Sequence, residues 1–325
     1  MLILFWAIDV DCLAANTFTV TFVRKWGSGG SGDGQFNAEH GIGFIGGNVY
    51  AADEANHRIQ YFDANGNFLG KWGTYGSNDG EFFSPAAVAP SANGTRVYVV
   101  ERDNHRVQYF STAGTFQGKL GSQGNGDGQF QSPGGIAIKS DGKIYIADRG
   151  NNRIQYFNSD GTLAGKWGDP GSGNGQFNNP ISIAVSPSGL VYVADKENKR
   201  IQYFSATGTY QSEWGGAGTG NGQFGYDGPT GVTVDNNGNV FVADPGNNFI
   251  QAFSSTGAFL GQWGGWGDAN STSKFYYPNS VAIGTGNNIY VADELNNRIQ
   301  QFTLDLGVSI PNSPTLGLYL PFVRK

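Results

Sequence analysis

Apolar and polar positions along the chain fall into one arrangement that is written six times. It reads VYAADEANHRIQYF from Val49, VYVVERDNHRVQYF from Val97, IYIADRGNNRIQYF from Ile144, VYVADKENKRIQYF from Val191, VFVADPGNNFIQAF from Val240 and IYVADELNNRIQQF from Ile289. Each copy is two runs of β-branched and aromatic residues around a short polar turn, which predicts a hairpin. The acidic residues that open the turns, Asp53, Glu101, Asp148, Asp195, Asp244 and Asp293, are 48, 47, 47, 49 and 49 residues apart. A period of that size predicts a repeat array around one continuous core.

Two more strands complete the period. TFTVTFVRKWG at residues 17–27 ends in a pattern that returns as FLGKWG, FQGKLG, LAGKWG, YQSEWG and FLGQWG. After each comes a Gly-rich loop, ten residues from Trp26 to Phe36 and the same in the next four copies. A short apolar strand follows, usually opened by proline (Pro85, Pro133, Pro180, Pro229, Pro278), which suits a position where a missing N–H costs least. Four antiparallel strands repeated six times predict an all-β, closed six-bladed propeller. The last copy stops at Phe302 after three strands and the chain begins with a lone fourth one, so the N-terminal strand is expected to complete the last blade. The expected division is an extension at 1–16, the propeller at 17–302 and a tail at 303–325.

The D-x-x-N-x-R-I-Q-Y-F turn and strand, the GDGQF step and the period resemble NHL repeats, which in that family build six-bladed propellers. The resemblance implies binding more often than catalysis: proteins or RNA in tripartite-motif ubiquitin ligases, and various ligands in bacterial surface and sensor proteins. A related propeller carries the lyase that cleaves peptidyl-hydroxyglycine. Fold alone does not choose among these.

Composition narrows the choice. Charged residues are only 14%, and 20 basic against 26 acidic residues leave a net charge of −6, which disfavours binding to a nucleic-acid backbone. The lone Cys12 excludes an internal disulfide framework and a multi-Cys zinc site. The opening MLILFWAIDVDCLAAN has a short apolar run and then small residues, as an export signal has, yet no Lys or Arg precedes the run and Asp9 and Asp11 follow it. A truncated signal and an ordinary extension both stay open. An extracellular or cell-surface location is the expectation, a cytoplasmic one the alternative. The tail carries Pro311 and Pro314 and ends in an apolar run capped by Arg324 and Lys325, too short to span a bilayer. No membrane span is expected, and the propeller is expected to be a monomer.

The repeated polar residues have a structural reading. Asp53 and Arg58, Glu101 and Arg106, Asp148 and Arg153, Asp195 and Arg200, and Asp293 and Arg298 stand on opposite sides of one turn and are expected to pair across it. The Asn of each turn suits a left-handed position or a bond to its own backbone. Three histidines, His40, His57 and His105, do not make a zinc centre by spacing, and His57 and His105 share a turn position read as variable and exposed. No cofactor is expected. A structural cation on the axis is admitted, because six blades can gather oxygen ligands there.

Departures from the repeat mark the candidate site. Blade one has Glu39 and His40 where other copies have proline and, in most of them, a small residue; blade five replaces the turn Arg by Phe249, leaving Asp244 without that partner, and inserts Tyr226 and Asp227; blade six lengthens its Gly-rich loop and adds Trp266, Asp268, Tyr276 and Tyr277. These loops share one face of the disc in the sector of blades five, six and one. Aromatic rings, acids and amides together suit gripping a protein, a peptide or a carbohydrate. The expectation is therefore a non-enzymatic binding or scaffold module, with a lyase- or lactonase-like propeller using an axial metal as the alternative, and RNA binding as a less favoured one.

Overall fold

The computed structural model describes residues 18–305. Six four-stranded antiparallel sheets form a closed ring, five of them from consecutive strands. Blade one runs Glu39–Ile45, Asn48–Asp53, Arg58–Asp63 and Phe68–Trp72, from the axis outward. Blade six takes Pro278–Ile283, Asn288–Asp293 and Arg298–Asp305 from the end of the propeller, and Thr19–Trp26 as its fourth strand. The closing register runs from Thr19 opposite Asp305 to Trp26 opposite Ile299, shifting between Phe22 and Arg24. The propeller is thus sealed by backbone hydrogen bonds between its two ends, which removes two open edges. Because the closing strand is eight residues long, its partner runs on to Asp305, past the expected boundary at 302. The expected extension at 1–16 and the tail from 306 lie outside the described residues. Among the described residues no helix is long and apolar enough to cross a membrane.

Packing between blades explains the hydrophobic pattern. The second strand of a blade is covered by a neighbouring sheet on each side, so Val191–Asp195 is buried throughout, whereas Tyr210–Gly215 at the outer edge alternates. Each core cluster spans a blade boundary: Tyr50, Ala52 and Ile59 pack with Phe82, Val97, Val99 and Phe110 of the next sheet. The Phe that ends each Gly-rich loop, from Phe36 to Phe275, is fully buried and pins the loop to the core. Burying such a ring stabilises by about 2 kcal/mol.

The expected Asp–Arg pairs form, and each is the centre of a larger network. In blade one the Asp53 carboxylate accepts Arg58 Nε at 2.7 Å, Gln60 Nε2 at 3.1 Å and the Asn37 N–H at 2.8 Å. Arg58 donates its remaining N–H groups to the carbonyls of Ser31, Gly32 and Gln35 in the Gly-rich loop. The same arrangement recurs around Arg106, Arg153, Arg200 and Arg298. One buried guanidinium therefore satisfies three loop carbonyls that no sheet could reach. The loop glycines follow from this fit: Gly30 has φ +146°, and a Cβ there would stand 2.4 Å from the Gln35 amide oxygen.

Two turn assignments differ from the sequence expectation. The left-handed residue is not the repeated Asn but the one after it, His57, His105, Asn152, Lys199, Asn248 and Asn297. The Asn instead bridges Asp to loop, as Asn56 Nδ2 does with Asp53 and the Gly30 carbonyl. The left-handed position is half-buried rather than an exposed variable site, since its side chain reaches the next blade: Asn152 Oδ1 accepts the Asn179 N–H at 2.8 Å and Asn248 Oδ1 the Tyr277 N–H at 2.9 Å.

Candidate functional site: the axial mouth and its aromatic rim

The side chains directly after the acidic turn residue in five blades, Glu54, Arg102, Arg149, Lys196 and Glu294, act electrostatically on one another or on His40 across the ring. The acidic residue itself is fully buried, and the backbone N–H of its successor bonds just before the innermost strand, Glu54 to the Ala38 carbonyl, Arg102 to that of Ser84 and Lys196 to that of Asn179. His40, Arg102, Thr230 and Asn279 line the small cavity there. Below it the innermost strands carry small residues, such as Gly41, Ala87 and Ser182. At the far end Phe44, Pro90, Ile138, Val185, Val234 and Ile283 ring a cavity of about 410 Å³. The channel is thus charged at one mouth and apolar at the other.

Pairing within the charged mouth is uneven. Arg102 NH1 contacts Glu54 Oε1 at 2.7 Å, and its NH2 is 3.2 Å from His40 Nε2. Arg149 donates from Nε to Asn179 Oδ1, and among the described residues neither Arg149 nor Lys196 lies within ion-pair distance of a carboxylate. Glu294 receives the Asn279 amide at 2.5 Å. Two buried polar atoms of the residues that line the small cavity, Thr230 Oγ1 and Arg102 Nε, have no partner among the described residues.

The electrostatics are those of a desolvated cluster. Burial, reinforced by Arg102, Lys196 and Arg149, pushes the His40 imidazole down to about 3, so it is neutral at ordinary pH. Burial raises the Glu54 carboxyl while Arg102 opposes it, and burial takes Glu294 up to about 7. Arg149 and Lys196 are both lowered, by burial first and by like charge next. Groups from blades one, two, three, four and six thus act on one another across the axis.

The candidates from the sequence separate into three sets. His40 reaches the mouth, and Tyr277 and Asp227 lie beside it: the Tyr277 hydroxyl is taken up to about 12 by burial and then by Asp227, Glu294 and Glu197. Tyr226, 90% exposed, Trp266, 68% exposed, and Tyr276, 44% exposed, stand on the rim. Lys199 Nζ lies 5.7 Å from the Tyr226 ring, and the Trp266 and Tyr276 rings meet edge-on with centroids 6.5 Å apart. Glu39, Asp268 and Phe249 are engaged in the framework. Glu39 is fully buried and accepts the Arg298 N–H at 2.8 Å; Asp268 is held low by the Ser271 hydroxyl and accepts the Asn270 and Ser271 N–H groups; the Phe249 ring lies near Gly265.

Asp244, without an Arg, keeps Asn247, Gln251 and the Gly225 N–H, and its carboxyl is raised by burial; burial also raises Asp293, against the pull of Arg298. Among the described residues no group of three or more His, Cys, Asp or Glu is placed to hold a metal ion.

Sequence reasoning passed over two features. Tyr75, 64% exposed, and Phe83 on blade two occupy the repeat positions of Trp266 and Tyr276 on blade six, and their rings meet at 5.2 Å. Aligning the loops blade by blade exposes this coincidence. The ring of residues after the acidic turn was also missed, although half of its six positions are cationic in a chain poor in charge.

Models of known families match parts of the chain. An NHL-repeat model matches residues 177–204, 226–253 and 275–302, and a model described as a 6-bladed beta-propeller matches residues 91–166. No curated protein matches. Among solved structures, a structural-genomics protein of unknown function from Bacteroides thetaiotaomicron superimposes with a TM-score of 0.68 at 17% identity, over 89% of this chain and 76% of its own. Virginiamycin B lyase from Staphylococcus aureus gives a TM-score of 0.58 at 14% identity over 88% and 99%. A gluconolactonase from Xanthomonas campestris gives 0.61 at 14% identity over 83% and 87%. At these identities the likeness is one of fold.

Proposed function

Given that this chain is a six-bladed propeller of NHL repeats, we propose that it is a non-enzymatic module that binds a peptide segment of a partner protein across the face carrying the Gly-rich loops. One observation carries the reading: among the described residues the other large aromatics are buried or half-buried, and Tyr75, Phe83, Tyr226, Trp266 and Tyr276 are exposed on the loops of this one face. Around them lies a half-buried mouth with arginines, and exposed aromatic rings beside arginine are what protein interfaces are enriched in. Exposed rings gathered on one face mark an interaction site, because a partner that covers them removes apolar surface from water. A location outside the cytoplasm is part of this proposal, as is a monomeric state.

Catalysis is the second reading, prompted by the lyase and lactonase among the fold neighbours. The mouth supports it less, because the Nε2 of its nearest candidate base, His40, lies 3.2 Å from the Arg102 guanidinium, with the Glu54 carboxylate 3.6 Å from the same nitrogen, and so is not free to take a proton from a substrate. A peptide and glycan array probed with the labelled protein tests the proposal. Saturable binding to a subset of peptides supports it; binding to glycans alone, or to nothing, overturns it.

A further inference from the structure

The charges at the axial mouth do not cancel. Arg102 closes on Glu54, with His40 at its other side, and keeps only its Nε without a partner among the described residues. On blades three and four Arg149 has only an amide oxygen for its Nε, while the Lys196 ammonium has no hydrogen-bonding partner among the described residues. Both side chains are half-buried, which removes water that would otherwise solvate them. Across the axis Glu294 is bound by Asn279 and does not reach either cation within ion-pair distance. Thr230, 3% exposed, lines the small cavity beside His40 and Arg102, and its hydroxyl has no partner among the described residues.

We infer that Arg149 and Lys196, with the Thr230 hydroxyl, form a carboxylate site on the propeller axis, which seats the C-terminal carboxylate of the bound peptide. A guanidinium gives two parallel N–H donors to a planar carboxylate, and an ammonium adds a point charge. His40, Arg102, Thr230 and Asn279 line the small cavity of this mouth, and the charges of Arg149 and Lys196 act on His40 there. Position on the axis also gives one site per propeller, where a peptide lying over the aromatic rim would place its end. The inference rests on the peptide-binding reading for the identity of the ligand, and on the mouth alone for its chemistry.

Two experiments separate these dependences. In the first, sodium acetate, sodium benzoate and benzylammonium chloride are titrated into the full chain at constant ionic strength, and the arginine Nε–H resonances are followed by NMR. The expected result is a saturable shift of the Arg149 resonance with both carboxylates, none with benzylammonium, and about tenfold weaker benzoate binding in Lys196→Met. An absent or non-saturating shift, or a response that Lys196→Met leaves unchanged, overturns the site. In the second, peptides that bind on the array are remade with an amidated C-terminus. Loss of about tenfold on amidation supports the inference, and equal affinity overturns the assignment to a C-terminus. A carboxylate response with a blank peptide array leaves the site standing and sinks the peptide-binding reading instead.

Discussion

The imidazole Nδ1 of His105 accepts a hydrogen bond from the backbone N–H of Ser132, 2.9 Å away on the next blade. The same clip joins His57 to Ser84 at 3.4 Å, Asn152 to Asn179 and Asn248 to Tyr277. Ser84, Ser132, Asn179 and Tyr277 all have positive φ, so the bond holds a strained loop residue of one blade onto its neighbour. His105→Ala is expected to destabilise by about 1 kcal/mol, whereas His105→Asn, which restores the acceptor used in blades three and five, should recover most of that. Chemical denaturation of the three proteins decides it: equal losses for Ala and Asn would mean that the ring packs rather than accepts.

Blade five offers the converse test. Phe249 stands where Arg200 of blade four donates to Ser172, Gly173 and Gln176 carbonyls. Phe249→Arg would restore a donor to Asp244 and to the equivalent loop carbonyls, and should stabilise by about 1–2 kcal/mol in a thermal melt. A loss of stability instead would show that the Phe249 ring near Gly265 is a packing group.

Glu294 makes stability depend on pH. Its folded carboxyl titrates at about 7, well above the 4.5 of an exposed glutamate, because burial disfavours the charge more than Arg102 and Lys196 favour it. The folded state therefore holds a proton that the unfolded state has lost, and the contribution of this group to stability falls as pH rises from about 4.5 to 7. Glu294→Gln, which keeps an oxygen for the Asn279 amide, should match the wild type at pH 4 and exceed it by about 1–3 kcal/mol at pH 8. The gap should open between those values. A constant difference across the range would place the carboxylate in contact with water or with a cation.

The architecture was legible from the sequence because every blade repeats the same physical solution. The Asp53–Arg58 spacing, the buried Phe36 of the loop and the lone first strand, which pairs with the last one at Thr19–Trp26, each carry their structural meaning in residue type and position. The site was less legible. Exceptions to the repeat led to His40, Trp266 and Tyr226, but also to Glu39, whose carboxyl is sealed under the Arg298 backbone, and Asp268, which closes its own turn. A break in pattern marks a changed environment, which can be framework as readily as surface. The axial charges escaped because facing the axis is a property of the ring: Arg102, Arg149 and Lys196 are far apart in sequence and meet only when six blades close.

The central claim is that the Gly-rich-loop face, rim and mouth together, is the binding face. Fluorescence anisotropy of the tightest array peptide, measured against single variants around the whole molecule, tests it most directly. Trp266→Ala, Tyr75→Ala and Arg149→Met are each predicted to weaken binding by about fivefold or more, as expected for a stacked ring or a charged hydrogen bond. Asn125→Ala, in the Gly-rich loop before blade three, and Thr285→Ala, beside the apolar mouth, are predicted to leave it unchanged. Affinity lost through Thr285→Ala and kept in Trp266→Ala and Arg149→Met would contradict the account and put the partner at the opposite end of the channel.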